Sequence, residues 1–120
     1  MQLTQDFTYE EMKCPCGKCD GGQMNPGFME KLQNMRTSAA VKFYINSGFR
    51  CPEHNAAVGG KPYSYHLTGH AADITCVGAA MRQRLLAAAN AAGMTGIGIG
   101  RKFIHVDDRP DPIRWVYKDR

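Results

Sequence analysis

With 120 residues, 43% of them apolar and 22% charged, the chain has the composition of one soluble globular domain, residues 1–120, with room for a single core. No run approaches the eighteen or so apolar residues of a membrane span, and the start lacks the basic and apolar stretches of a signal peptide, so no membrane contact and synthesis in a cytoplasm are expected. Fifteen Lys and Arg against eleven Asp and Glu leave a formal charge of +4, which suits an anionic partner; with no basic run interleaved with aromatics, nucleic acid is not expected.

Thr8 followed by Glu11 has the form of a capping box and predicts a short helix ending before Pro15. Residues 14–22 are loop-like in composition. Asn25 then reads as an N-cap with Pro26 at the first helical position, and Phe28, Leu32 and Met35 give the following helix one apolar face. Alternation predicts a strand over residues 41–45, which runs into a bend at Gly48. A helical turn is expected from Cys51, then a glycine-containing loop over residues 58–64 and a strand over 70–74. Residues 78–92 carry a strong helix propensity, with Gly93 where a C-terminal cap belongs. Residues 97–100 and 103–106 read as two strands joined by a turn, with 115–117 as a last one. The order implies an α+β fold, helices packed on a small antiparallel sheet.

Five cysteines, an odd number, leave at least one thiol unpaired. Cys14, Cys16 and Cys19, with Cys51 further on, suit four-thiolate binding of a structural metal; disulfides or buried reduced thiols are equally compatible with the spacing. Cys76 follows an expected strand and reads as a small core residue.

The residues that carry chemistry are His66, Asp73 and His105. In an extended segment Asp73 shares a face with Ala71, whose small side chain leaves space beside the carboxylate. His105 and Asp107 likewise share a face, opposite Ile104 and Val106. If the two strands meet, two imidazoles and a carboxylate converge. Three such ligands leave a fourth position on zinc for water, as in catalytic rather than structural sites. Spacing permits this without requiring it, since each residue alone would also serve as a surface or hydrogen-bonded group. That ordinary role is the reading for His54 and His70.

The pattern Ser64-x-His66-x-x-Gly69-x-Ala71-x-Asp73, with His105 and Asp107 on a later apolar strand, resembles the signature of the zinc D-Ala-D-Ala carboxypeptidase family, in the superfamily shared with lysostaphin-type peptidases and the hedgehog signalling domain. Ser47 to Arg50, Asn55 before Gly59 and Gly60, the glycines at 96, 98 and 100, and the early cysteines are similar to a compact subgroup found among phage cell-wall peptidases. The resemblance implies that His66, Asp73 and His105 hold one catalytic Zn2+, that Arg50 faces the substrate carbonyl, and that Ser64 helps hold substrate. A fixed guanidinium is suited to an oxyanion; Ser64 is as well suited to a local hydrogen bond that shapes its loop.

One departure stands out. Family members often carry a carboxylate general base three residues before the last histidine, where this chain has Lys102. Asp107 is the substitute expected as general base, with orientation of a histidine ligand or pairing with Arg109 as its other readings. The implied substrate is a peptidoglycan stem peptide, cut at D-Ala-D-Ala or at an internal L-Ala-D-Glu-type bond. A monomeric, endolysin-like enzyme that reaches the bacterial wall through a holin is the expectation. A zinc-binding module that recognises wall peptide or a virion protein without cleaving it is the alternative.

Overall fold

The computed structural model describes residues 1–118. The helices begin where their caps predict. Thr8 and Glu11 close the capping box of α1 (Tyr9–Met12). The Asn25 side chain accepts from the Phe28 amide to start α2 (Pro26–Ala39). Cys51 caps α3 (Pro52–Ala57) through its sulfur. After α4 (Ala79–Ala92), Gly93 turns left-handed, with its amide on the carbonyls of Ala89 and Asn90.

Five strands form one sheet: β1 (Ile45–Ser47), β2 (Ala71–Thr75), β3 (Gly96–Ile99), β4 (Phe103–Asp107) and β5 (Ile113–Val116), in the order β1-β2-β4-β3-β5. The α+β class holds, but the sheet is mixed, because β5 runs parallel to β3. The cause is local. Antiparallel pairing sets Asp107, the end of β4, beside Gly96, the start of β3. The short segment that follows crosses over that end and brings Ile113 opposite Gly96, its amide on the Thr95 carbonyl. A strand entering β3's far edge from that end must share its direction.

The strand expected at residues 41–45 starts later. The alternation reports packing rather than strand pairing: Phe43 is buried, Val41 and Ile45 lie against the core, and Tyr44 is exposed. Ladder pairing with β2 begins only at Ile45, with an irregular register to Ser47.

Period-two alternation gives the sheet two unlike faces. Ala72 and Ile74 of β2, Ile104 and Val106 of β4 and Ile97 of β3 join Phe28, Leu32 and Met35 of α2 and Leu85 and Ala89 of α4 in one core. Ala71, Asp73, His105 and Asp107 point the other way, yet all four are buried.

Candidate metal centre

Asp73 and His105 are direct partners across the β2–β4 ladder. That register brings the His105 Nδ1 to 2.9 Å from the Asp73 Oδ1. His66 comes from a 3-10 turn, Tyr65–Thr68, opened by the Ser64 side chain accepting from the His66 amide and closed by Gly69 at φ 75°. Its Nε2 lies 3.2 Å from the same Asp73 oxygen. The three ligand atoms lie within 4.8 Å of one another, on buried side chains.

Each imidazole has its remaining nitrogen anchored. His66 Nδ1 donates to the Gly48 carbonyl at 2.7 Å, which turns the Nε2 lone pair inward. His105 Nε2 donates to Asp107 at 2.7 Å, which leaves Nδ1 for the centre. Such outer contacts fix the tautomer and orientation of histidine ligands. When both imidazoles are neutral, these outer bonds leave two lone pairs and a carboxylate aimed at one point, a set of acceptors that suits a cation between them. The nitrogen–nitrogen–oxygen donor set suits zinc.

Without a cation the charges settle among the side chains. Burial alone would raise the Asp73 carboxyl, but hydrogen bonds to His105 and His66 outweigh it and hold it well below the usual carboxylate range. Burial works against a charged His105, but its bonds to Asp107 and Asp73 prevail and raise its pKa. Asp107 is also penalised by burial and is lowered overall by Arg109 and His105.

Arg50 is built into the centre. Its Nη2 donates to Asp73 Oδ2 at 3.1 Å, its Nη1 to Asn55 at 3.2 Å and its Nε to Ser47 at 2.9 Å. Gly60 packs on this arrangement so closely that a Cβ there would meet the Asn55 side chain at 2.0 Å. Ser47, Asn55 and Asp73 therefore hold the guanidinium in one orientation beside the converging groups.

Asp107 departs from the role expected of it. It is 0% exposed and lies behind His105, on the nitrogen turned away from the centre. Arg109 grips it through Nε at 2.8 Å and Nη2 at 2.6 Å. A carboxylate sealed behind a ligand and neutralised by a guanidinium does not reach a proton on the open side. Its contacts are those of the other two readings, orientation of a histidine ligand and pairing with Arg109. Gly96 makes room for it, since a Cβ there would sit 2.0 Å from an Asp107 oxygen.

The open side is a cavity of about 580 Å³ lined by the three ligands, Arg50 and Ser64, and walled by Tyr63, Tyr65, Trp115 and Tyr117. Four cationic side chains border it, Arg50, Lys61, Arg109 and Lys118, and Asp73 is its one carboxylate among the described residues. Arg109 lies between two rings, its guanidinium carbon 4.8 Å from the centroids of both Tyr65 and Trp115. Gly98 opens the floor under Trp115, where a Cβ would meet the indole at 2.7 Å.

Lys102 is in the β3–β4 turn, outside the cavity, with its carbonyl accepting from Cys76. His70 pairs with Asp108 at 2.8 Å and His54 sits on α3, neither of them among the converging ligands. Cys76 is buried in the core, as expected. Cys14, Cys16, Cys19 and Cys51 are brought together, with no disulfide among them. Trp115, Tyr65 and the Gly48 carbonyl belong to the site without standing in any of its sequence motifs as ligands or catalytic groups. Only Trp115, the single tryptophan, carried a signal that would have marked it.

No curated protein matches the chain. Residues 5–107 match the family model described as Peptidase M15. The matched stretch holds all three converging ligands, Arg50, Asp107 and the clustered cysteines, and stops short of Arg109 and β5. With most of its length matched and a zinc-type donor set at the heart of the match, the chain belongs to the peptidase M15 family of zinc metallopeptidases.

Proposed function

We propose that this protein is a zinc-dependent peptidase that hydrolyses peptide bonds in peptidoglycan stems. The observation that carries the reading is the convergence of His66 Nε2, Asp73 Oδ1 and His105 Nδ1 at the floor of an open, cation-bordered cavity. A zinc ion held by these three groups supplies Lewis acidity, polarising a carbonyl and lowering the pKa of a water to about 7.

The chain's own groups do the rest. Gly48 and Asp107 keep both imidazoles in the ligating tautomer. Arg50, fixed by Ser47, Asn55 and Asp73, presents positive charge where a carbonyl oxygen becomes an oxyanion. Lys61 and Lys118 favour a substrate bearing carboxylates, and the tyrosines and Trp115 offer flat apolar walls for a peptide backbone. Stem peptides fit this description, rich in carboxylates and in small D-residues. The family resemblance favours D-Ala-D-Ala or an L-Ala-D-Glu-type bond, and an endolysin-like role at the bacterial wall after holin-mediated release.

A second reading has one observation in its favour. Asp73 is already committed as a ligand, so among the described residues no further carboxylate lines the cavity to accept a proton. A wall-peptide-binding module that has lost catalysis fits that lining. Purified peptidoglycan incubated with the zinc-loaded protein separates the two. Metal-dependent appearance of new peptide termini, abolished by chelation, is the expected result. Pelleting with the wall and no release of termini would replace the peptidase with the binding module.

A further inference from the structure

We propose that Cys14, Cys16, Cys19 and Cys51 bind a second, structural zinc ion as four thiolates, and that this ion fastens the N-terminal loop to the wall of the catalytic centre. The sulfurs are spaced for it. Cys14 and Cys51 are 3.7 Å apart, Cys51 and Cys16 3.8 Å, and all four lie within 4.8 Å of one another. Tetrahedral zinc with bonds of about 2.3 Å has sulfur–sulfur edges of about 3.8 Å, whereas a disulfide would bring two sulfurs to about 2.05 Å.

The backbone supplies an independent argument. Every one of the four sulfurs accepts a main-chain amide: Lys18 to Cys16 at 3.3 Å, Gly21 to Cys19 at 3.3 Å, Cys51 to Cys14 at 3.4 Å and His54 to Cys51 at 3.4 Å. The His54 bond also caps α3, but the other three have no helix end to serve, and a neutral thiol is a weak acceptor that gives little reason to direct an amide at it. Four thiolates around one dication carry a net negative charge, and four converging N–H dipoles offset it.

Apart from the Cys14 amide on the Gly21 carbonyl, the Tyr9 hydroxyl on the Asp20 carbonyl and the Gly22 amide on the Asp20 side chain, the loop is held through its sulfurs. Lys18, Cys19 and Asp20 are exposed, and no large apolar side chain lies between Cys14 and Gly22. A segment that buries so little needs a covalent or coordinate tie to offset its ordering entropy.

The tie reaches the catalytic centre through one short stretch of chain. Cys51 follows Arg50, whose guanidinium holds Asp73, and Gly48 carries the carbonyl that fixes His66. The Phe49 amide donates to Met12, just ahead of the loop. Zinc at the cysteines therefore clamps residues 48–51 between α1 and the ligands they orient. The inference does not rest on the peptidase reading, because it holds equally for a non-catalytic binding module.

Zinc itself is the probe. The full-length protein purified with zinc should contain two equivalents per chain, and His105→Ala should retain one. Stepwise modification of wild-type thiols with a mercurial should release one equivalent only as four thiols are consumed, a readout that needs no variant to fold. Cobalt(II) loaded in place of zinc should give the intense charge-transfer absorption of four thiolates, retained in His105→Ala. A single zinc that vanishes with His105, thiols that react equally fast with and without zinc, disulfides in the freshly purified protein, or iron instead of zinc would each overturn the proposal. Loss of hydrolysis with both zinc equivalents present would count against the peptidase reading alone.

Discussion

The two faces of the central sheet are buried to a similar degree and by opposite means. On β4, Ile104 and Val106 are fully buried among α2 and α4, while their neighbours His105 and Asp107 are 5% and 0% exposed among charges. On the helix side each residue contributes by area and fit, so a substitution costs what its lost volume costs. On the site side each residue is tolerated only because its partner is there: Asp73 by Arg50 and the imidazoles, Asp107 by Arg109 and His105. Removing one member leaves the next as an uncompensated buried charge. The helix-side face is graded, and the site-side face is conditional.

The sharpest way to break the comparison is to delete a ligand. His105→Ala should abolish zinc-dependent hydrolysis while the helix-backed core stays folded, checked by metal content and by circular dichroism. If activity survives, the conditional face is not the functional one. Asp107 comes next. Asp107→Ala should destabilise the fold by about 3–5 kcal/mol in denaturant unfolding, because it removes the carboxylate that both the Arg109 guanidinium and the His105 Nε2 are bonded to. Asp107→Asn should weaken zinc binding by about 10–100-fold, with hydrolysis recovered at saturating zinc. A general base would behave differently, since its loss of about 10²–10⁴ in rate would persist however much zinc was added.

On the helix side, Ile104→Ala should cost about 2–5 kcal/mol by unfolding, with activity per folded molecule unchanged. Smaller again is Gly98→Ala, whose new methyl group presses on the Trp115 indole; a loss of about 1–3 kcal/mol and a shift in tryptophan fluorescence are expected.

Acidity sharpens the same contrast. In the metal-free protein the folded pKa of His105 is raised, so its contribution is full below the unfolded value of about 6.5 and fades as pH rises through the folded value. Asp73 and Asp107 are lowered, so theirs is full above about 3.9 and is lost as pH falls through their folded values. Metal-free stability should therefore be greatest between these limits. Zinc requires His105 without its proton, so affinity should rise with pH across the raised value, with proton release on binding measurable by calorimetry in buffers of different ionisation heat.

Much of this was legible beforehand, for identifiable reasons. Caps are local, so Thr8, Asn25 and Gly93 marked helix ends correctly. Alternation is local too, and it separated Asp73 and His105 from the core. What escaped depends on geometry between elements. Period two puts Asp107 on the face of His105, but says nothing of which imidazole nitrogen points outward, and that detail decides whether Asp107 meets substrate or stands behind a ligand. The parallel placement of β5, and with it Trp115 in the cavity wall, follows from a crossing loop whose path no periodicity records. At residues 41–45 the pattern of packing was right while the onset of pairing was not, because side-chain burial and backbone pairing are separate events.

The direct opposition of Asp73 and His105 across β2 and β4 has a consequence for how the protein matures. A slip of one residue in that ladder would turn one ligand toward α2 and α4, and a misaligned intermediate would be blind to the ion. Zinc at a thousand times its dissociation constant favours the competent alignment by about 4.1 kcal/mol. Metal supplied during refolding should thus act as a proofreader of strand register, raising the yield of correctly threaded sheet rather than merely filling a finished one.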